Sequence, residues 1–149
     1  MQTYLPFPDF GQCARVLDDR RLGKQRVECY QILRVLGGHT RAWRAHPAVL
    51  MWKGHRGALA RYGIAVCREW RRRGFRDSLL PRLVRIAAGL HPRESRRPAW
   101  LGEAAVHAAY RAALLAKQPE WYSQFRWSET PQVAYIWPGA AVAAGRAVK

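Results

Sequence analysis

A chain of 149 residues, 49% of them hydrophobic, is long enough to bury one core, which excludes a basic disordered tail. Lysine and arginine number 26 against 10 acidic residues, and the formal net charge of +16 favours nucleic acid as the partner, with an anionic membrane surface second. The three cysteines are widely spaced and form no CxxC pair, which disfavours a zinc site and a disulfide framework and indicates a reducing compartment.

The first ten residues, MQTYLPFPDF, lack the basic start and the apolar run of a signal peptide. No window of the chain approaches 18 uncharged apolar residues, so we expect a cytoplasmic, nucleoid-associated protein. Pro6 and Pro8 predict an extended arm over residues 1–8. Asp9 and Gln12 have the spacing of a capping box, which predicts a short helical turn before the next element.

The strongest helical pattern is LDDRRLGKQRVECYQILRVL, residues 17–36. It contains no proline and is followed by two glycines, which suit the end of a helix. Asp18 and Asp19 lie at its start, where carboxylates cap a helix more often than they bind a metal. At about 100° per residue one face is apolar and predicts the core side. Its members are Leu22, Cys29, Leu33 and Leu36.

A second flank of this helix brings Arg21, Lys24 and Glu28 within roughly 60° of one another. Glu28 is the only acid between Asp19 and Glu69. An isolated carboxylate among cations is either an exposed ion-pair partner, worth well under about 1 kcal/mol, or a chemical group. The helix alone favours the ion pair, and both interpretations stay open at this point.

Aromatic and basic residues alternate in residues 39–57, HTRAWRAHPAVLMWKGHRG, where Pro47 suits the start of a short helix. This composition fits base stacking with phosphate contact, and it fits a tryptophan core beside solvated arginines equally well. Its histidines lack metal-ligand spacing, so we predict no metal site. The next stretch, residues 58–73, has the clearest amphipathic helical spacing. Its apolar positions are Leu59, Tyr62, Gly63, Val66 and Trp70.

The remaining chain predicts two more helices, at residues 79–90 and 102–117, joined by the charged segment HPRESRRP, residues 91–98. We expect that segment to be a surface loop that contacts phosphate through Arg96 and Arg97. The expected apolar side of the last helix is Ala105, Ala109, Ala112 and Leu115.

The end of the chain is rich in aromatic residues and broken by prolines, so we expect it to wrap irregularly over the helices. Residues 140–149 are expected to form a flexible tail. No segment has a strand or hairpin pattern. We therefore predict an all-α class, with residues 1–149 forming a single compact helical domain of about four to five helices and an irregular aromatic-rich tail.

The usual catalytic motifs, among them GxSxG, a Walker loop and HExxH, are absent. Glu28, surrounded by cations and near an amine, suffices for cleavage of a glycosidic bond through a Schiff base. In that chemistry an amine attacks the sugar C1′ and displaces the base, while a carboxylate stabilises the cationic sugar and transfers protons. An α-amine suits this role because its pKa of about 7.7–8.0 leaves a neutral fraction near pH 7, whereas lysine titrates near about 10.4.

Three segments resemble the pyrimidine-dimer DNA glycosylases, the endonuclease V type of small phage and bacterial repair enzymes. They are LDDRRLGKQRVE, the stretch from residue 47 to 75 that ends EWRRRGF, and WLGEAAVHAAYRAALLAKQPEWYSQF, residues 100–125. The opening MQTxLPxPD and the RLGKQRVE motif resemble an actinobacterial-style branch. The resemblance implies a compact α-helical domain without a cofactor, and N-glycosylase and abasic-site lyase activity on cyclobutane pyrimidine dimers. It also implies that an N-terminal α-amine is the nucleophile and that Glu28 is the catalytic glutamate.

The nucleophile of that family is a threonine amine exposed by removal of the initiator methionine. Here the bulky Gln2 follows Met1, and a bulky second residue generally blocks that removal. The Met1 α-amine, an exposed Gln2 amine and Lys24 are therefore candidate nucleophiles, or Glu28 activates water in a monofunctional glycosylase. Val27 and Gln31 replace arginines of the phage type, so the lesion can differ from a pyrimidine dimer.

The expected partner is double-stranded damaged DNA, bound by a monomer mainly through phosphates. Access to the sugar requires a bent duplex, an extruded nucleotide and an apolar wedge, for which Trp43, Trp52 and Trp100 are unranked candidates. The alternative is a non-catalytic basic nucleic-acid-binding module on the same fold. A peripheral membrane protein is disfavoured because the basic residues are scattered over all helices. The candidate DNA contacts are Arg20, Arg21, Gln25, His46, Trp52, Arg96, Arg97, His107, Arg111 and Lys117.

Overall fold

The computed structural model describes residues 1–138, so the predicted flexible tail at residues 140–149 lies outside the described residues. Residues 1–138 contain seven α-helices, two 3₁₀ turns and no strand, which confirms the all-α class. The predicted number of helices was too low because three of the seven have seven residues or fewer. The helices are α1 Phe10–Val16, α2 Asp19–Leu36, α3 Pro47–Leu50, α4 Arg56–Arg72, α5 Leu80–Gly89, α6 Ala104–Lys117 and α7 Pro119–Tyr122, with 3₁₀ turns at Pro92–Ser95 and Ser123–Phe125.

The core is built on α2, which packs against α4, and α4 in turn packs against α1 and α5. Gly63 allows the close approach, since a Cβ at this position would lie 3.2 Å from the Cys29 Cβ and 3.0 Å from a methyl of Leu83. Asp18 caps α2 as predicted, because its side chain accepts the Arg21 N–H. Of the predicted core face of α2, Leu22, Cys29 and Leu33 are buried and Leu36 is partly buried.

The extended arm, residues 1–8, passes through the core, with Gln2, Thr3, Tyr4 and Leu5 all less than 10% exposed. A chain terminus is ordinarily poorly fixed, and a buried one needs a partner for each backbone polar group. Side chains of α2, α4 and α6 supply these partners. The Tyr4 N–H donates to Gln25 Oε1 at 2.8 Å, Tyr62 OH donates to Tyr4 O at 2.6 Å, and His107 Nδ1 and Arg111 Nη1 each lie 2.7 Å from the carbonyls of Leu5 and Pro6.

The buried side of α6 differs from the predicted one, since Ala105 is exposed and Ala109 and Ala112 are only partly buried. Alanine-rich helices have apolar residues on every side, so periodicity marks the core face poorly. His107 belongs to the core because Nε2 accepts the Gly102 N–H at 2.9 Å while Nδ1 donates to the arm. The side chains that face the core are Val106, His107, Tyr110, Ala113, Leu114 and Leu115.

His107 is expected to make folding pH-dependent. Burial, the larger cause, and the nearby guanidinium of Arg111 lower its pKa below the usual 6.5. The unfolded chain therefore takes up a proton more readily, so stability is lost as pH falls from 6.5 towards the folded pKa. We expect the melting temperature to fall between about pH 7.5 and pH 5.5, and to fall less in His107→Gln. His39→Gln, at an exposed position, is the matched control; an equal fall in both variants would contradict this role.

After α7 the chain runs irregularly over the helices, as predicted, and packs its aromatic rings on the core. Tyr122 and Trp127 stack with ring centroids 5.7 Å apart. Farther along, Tyr135 contacts Tyr4 of the arm edge-on at 6.4 Å, and Trp137 contacts His46 at 6.1 Å. The tail thus closes one side of the space into which the arm leads. Within residues 1–138 no helix combines the length and apolarity needed to cross a membrane.

Candidate active site

The arm ends in an open, predominantly polar pocket of about 430 Å³. α2 supplies one wall, with Glu28 on the flank predicted from helical periodicity. The aromatic rings of Tyr4, Tyr135 and Trp137 form another part of the lining. Of the predicted site residues, the pocket brings together Met1, Arg20, Arg21, Lys24, Gln25, Glu28, His46 and Lys117.

The Glu28 carboxylate is held by two neutral donors. Its Oε2 accepts the Gln2 N–H at 3.0 Å and Gln25 Nε2 at 3.1 Å. None of the ion pairs within residues 1–138 includes Glu28. The ion-pair interpretation of this carboxylate is therefore wrong for the described residues. Glu28 thus contacts the backbone N–H of the second residue and lines a polar pocket.

Gln25 was predicted to contact DNA, and its position contradicts that prediction because it is only 1% exposed. Its amide group joins the arm to Glu28. Nε2 donates to the Gln2 carbonyl at 2.8 Å as well as to Glu28, while Oε1 accepts the Tyr4 N–H and lies 2.8 Å from Tyr62 OH. Both ends of this amide are fully used within the protein, so Gln25 positions the arm and the carboxylate together.

Replacing Gln25 by leucine is expected to destabilise the fold strongly. The change leaves the buried Tyr4 N–H and the Gln2 carbonyl without partners, and each unsatisfied buried group costs about 1–3 kcal/mol. We expect urea unfolding to give a loss of about 3–5 kcal/mol. Gln31→Leu, an exposed position on the same helix, is the control and should change stability by less than about 0.5 kcal/mol. Equal stability of the two variants would remove Gln25 from its positioning role.

His46 lies at the pocket with a defined tautomer. It caps α3, because its Nδ1 accepts the Ala48 N–H at 3.0 Å, so a neutral ring carries its proton on Nε2. Burial is the main cause that lowers the pKa of His46 below its usual value. The positive N-terminal amine lowers this pKa further, whereas the nearby Glu28 acts in the opposite direction. His46 is therefore a neutral hydrogen-bond donor at neutral pH, close to the chain terminus.

Three pocket cations, Arg20, Lys24 and Lys117, are exposed and make no ion pair within residues 1–138. Arg21 differs, since its Nη1 lies 3.2 Å from Asp18 Oδ1 and 2.8 Å from Gln118 Oε1. An exposed cation without a carboxylate can bind an anion without first losing an internal partner. The pocket thus joins one carboxylate and the chain terminus to a positively charged rim.

Several predicted DNA contacts lie elsewhere. Trp52 is fully buried and donates from Nε1 to Thr3 Oγ1 at 3.1 Å, and His107 is 2% exposed, so the structure contradicts a surface contact for both. Arg111 donates from Nε to Glu129 Oε1 at 2.7 Å and from Nη1 to the Pro6 carbonyl at 2.7 Å. These three residues support the arm instead. Arg96 and Arg97 are exposed on the loop at residues 91–98 and do not line the pocket, so their phosphate contact stays a prediction.

Sequence reasoning missed Tyr62, Tyr135 and Trp137. Tyr62 lies on the predicted apolar stripe of α4, where nothing in the sequence separates a hydrogen-bonding tyrosine from a core one. Tyr135 and Trp137 reach the pocket only through the irregular tail, whose path no local pattern encodes. Of the three wedge candidates, Trp52 and Trp100 are buried, whereas Trp43 is 57% exposed.

In comparison with known proteins, the half of the chain that contains the arm and Glu28 matches a protein family. Neither the curated proteins nor the solved structures contain a match to the chain. The family described as pyrimidine dimer DNA glycosylase matches residues 1–80, which is more than half of the chain. This range includes Gln25, Glu28 and His46, and it excludes the segment at residues 100–125. The matched range contains the arm, Glu28 and nine of the twelve residues that line the pocket. Because the match covers more than half of the chain, the chain belongs to the pyrimidine dimer DNA glycosylase family.

Proposed function

We propose that this protein is a DNA repair N-glycosylase with abasic-site lyase activity that acts through an N-terminal amine and Glu28. The observation that carries the proposal is the 3.0 Å hydrogen bond from the Gln2 nitrogen to Glu28 Oε2 inside the pocket. This contact satisfies the buried Gln2 N–H, and it also places the nitrogen of the second residue against a carboxylate that lines the pocket. The arrangement fits a reaction in which a terminal nitrogen must lose a proton and attack.

The nucleophile we favour is the Gln2 amine, exposed after loss of Met1. Its nitrogen already contacts the carboxylate, whereas the Met1 amine makes no ion pair with Glu28. The bulk of Gln2 opposes methionine removal. If Met1 is retained, its own amine is the terminal nitrogen, so the Met1 amine is the second candidate. Lys24 is the third candidate, since it lines the pocket but makes no ion pair with Glu28.

The chemistry proceeds by covalent catalysis. Glu28 accepts a proton from the amine, and the amine nitrogen bonds to the sugar C1′ as the bond from C1′ to the base breaks. Glu28 passes this proton to the departing base and is again a carboxylate, and the sugar ring opens as O4′ takes a proton from solvent, which leaves a protonated imine at C1′. Glu28 then removes a proton from C2′, which expels the 3′ phosphate and breaks the strand. Water hydrolyses the imine and restores the amine.

Damaged duplex DNA is the proposed substrate, bound by a monomer. The free cations of the pocket rim suit phosphates, and a buried sugar can reach the pocket only if the duplex bends and a nucleotide is extruded. Pyrimidine dimers are the first lesion to test because the chain belongs to that family. The replacement of flanking arginines by Val27 and Gln31 leaves a related lesion as a second one.

The proposal is tested by base release and borohydride trapping on ultraviolet-irradiated and abasic duplex DNA. We expect strand cleavage and a reduced covalent adduct on the N-terminal peptide, identified by mass mapping. Base release without any adduct would instead mean water attack by a monofunctional glycosylase. Tight duplex binding with neither base release nor adduct would overturn the proposal in favour of the non-catalytic binding module.

Neutralising the pocket rim is expected to flatten the salt dependence of duplex binding. The double variant Arg20→Ala and Lys117→Ala removes two phosphate contacts, so the slope of log K against log salt should become shallower by about two. Arg85→Ala, an exposed arginine of α5 that does not line the pocket, is the control. Arg96→Ala with Arg97→Ala tests the loop at residues 91–98 in the same titration. An unchanged slope in the pocket variant would place the duplex elsewhere.

A further inference from the structure

We infer that Trp43 is the wedge that enters the base stack when the nucleotide is extruded, an inference that rests on the proposed function. Trp43 lies in the loop between α2 and α3, and it is the most exposed large apolar side chain within residues 1–138. Its 57% exposure contrasts with the burial of Trp52 and Trp100. An indole left in solvent in a chain that buries other tryptophans points to a partner for the ring.

The backbone of Trp43 is held in an unfavourable conformation. Its φ is +68°, in the left-handed region that residues with a Cβ disfavour, and Arg126 is the only other non-glycine residue with positive φ in the described part of the chain. A hydrogen bond from the His46 N–H to the Trp43 carbonyl, 2.9 Å long, helps to fix the turn. Strained backbone conformations of this kind cluster at functional sites, where the function requires the conformation in spite of its cost in stability.

Trp43 lies beside the pocket rather than inside it. Its ring contacts the pocket residue His46 edge-on at 5.5 Å, and together with Met1 it lines a neighbouring cavity of about 220 Å³. It does not line the pocket that holds Glu28, where Tyr135 and Trp137 already offer aromatic surface to an extruded base. The position therefore fits the gap that the nucleotide leaves behind, next to the pocket that the nucleotide enters.

Two cations lie next to Trp43 along the chain, Arg41 two residues before it and Arg44 directly after it. Arg41 and Arg44 are both exposed, and neither makes an ion pair within residues 1–138. An exposed apolar ring on a loop with two exposed guanidinium groups suits a partner that has both stacked bases and phosphates. A duplex is thus the partner whose chemistry fits all three side chains.

The wedge is tested by comparing lyase rates on an abasic site in duplex DNA and in single-stranded DNA, since only the duplex has a stack to open. We expect Trp43→Ala to lower the duplex rate at least about tenfold and to leave the single-strand rate within about twofold. Trp43→Phe should recover most of the duplex rate. Phe75→Ala, which removes the other exposed aromatic ring, should change neither rate. Equal losses on both substrates would make Trp43 a contact of the extruded nucleotide, and no loss on either would also overturn the wedge.

A second measurement is independent of catalysis. The probe is a duplex that carries 2-aminopurine beside a non-cleavable tetrahydrofuran site, since the fluorescence of this base depends on how it is stacked. Binding of the wild-type protein should change the 2-aminopurine fluorescence, and Trp43→Ala should bind the duplex without that change. Failure of the proposed function would appear as a wild-type protein without base release or adduct, whatever the fluorescence does. Identical fluorescence changes in both proteins would overturn the wedge alone.

A melting experiment checks that the loop keeps its conformation in the variants. The melting temperature of Trp43→Gly should be higher than that of Trp43→Ala, because glycine adopts positive φ freely.

Discussion

Glu28→Gln is expected to lower base release and lyase activity by about 10²–10⁴-fold, while duplex affinity stays within about twofold. Glutamine keeps the size of the side chain and an oxygen that can accept the Gln2 N–H, so the arm stays in place. What it loses is the negative charge and the ability to take a proton. The effect is therefore confined to proton transfer and to stabilisation of the cationic sugar.

The measurement is single-turnover kinetics on irradiated and abasic duplexes, with binding followed by anisotropy and folding by circular dichroism. Glu120→Gln, at an exposed acid on α7 outside the pocket, is the matched control and should act like the wild-type protein. Turnover at the wild-type rate in Glu28→Gln would remove this carboxylate from the mechanism. A variant that loses its fold would show instead that Glu28 mainly anchors the arm.

The parts of the fold that sequence could predict are those that depend on local spacing. The cap at Asp18, the turn begun by Asp9 and the short helix begun by Pro47 all depend on residues within one helical turn. The flank of α2 that carries Lys24 and Glu28 follows from 3.6 residues per turn in the same way. The predicted family is confirmed by the match over residues 1–80.

The predictions that were wrong concern side chains whose partners lie far along the chain. Gln25, Trp52 and His107 were among the predicted DNA contacts. Each is buried instead because the arm needs partners for its own polar groups. That requirement exists only once the arm passes through the core, and no periodicity in residues 1–8 indicates such a path.

The hydrogen-bond partner of Glu28 could not be predicted without knowing the partners of the other acids. Six acids take arginine partners within residues 1–138, namely Asp18, Asp19, Glu69, Asp77, Glu94 and Glu129. Their partners lie as far apart in sequence as Arg73 from Asp19. A helix with Glu28 beside Arg21 and Lys24 therefore predicts an ion pair, whereas the folded chain assigns Arg21 to Asp18 and leaves Glu28 to the arm.

Extending the N-terminus is expected to abolish adduct formation and to lower lyase activity by at least about a thousandfold. A short Gly-Ser extension before Met1 turns the terminal nitrogen into an amide, which cannot form an imine. Met1 is only partly buried and lines the open pocket, so the added residues can leave through its mouth without entering the core. Folding and the salt dependence of duplex binding should change little.

Two further variants separate the candidate nitrogens in the same trapping assay. Gln2→Ala makes the second residue small, which favours removal of Met1 and presents an alanine amine to Glu28; we expect at least wild-type trapping on the N-terminal peptide. Lys24→Ala should keep its adduct there and lose no more than about tenfold in rate, as expected for a phosphate contact. An adduct that maps to Lys24, survives the extension and disappears in Lys24→Ala would move the nucleophile to α2. An N-terminal adduct that still carries Met1 would assign the attack to the Met1 amine, and the contact between Gln2 and Glu28 would then position the arm without entering the reaction.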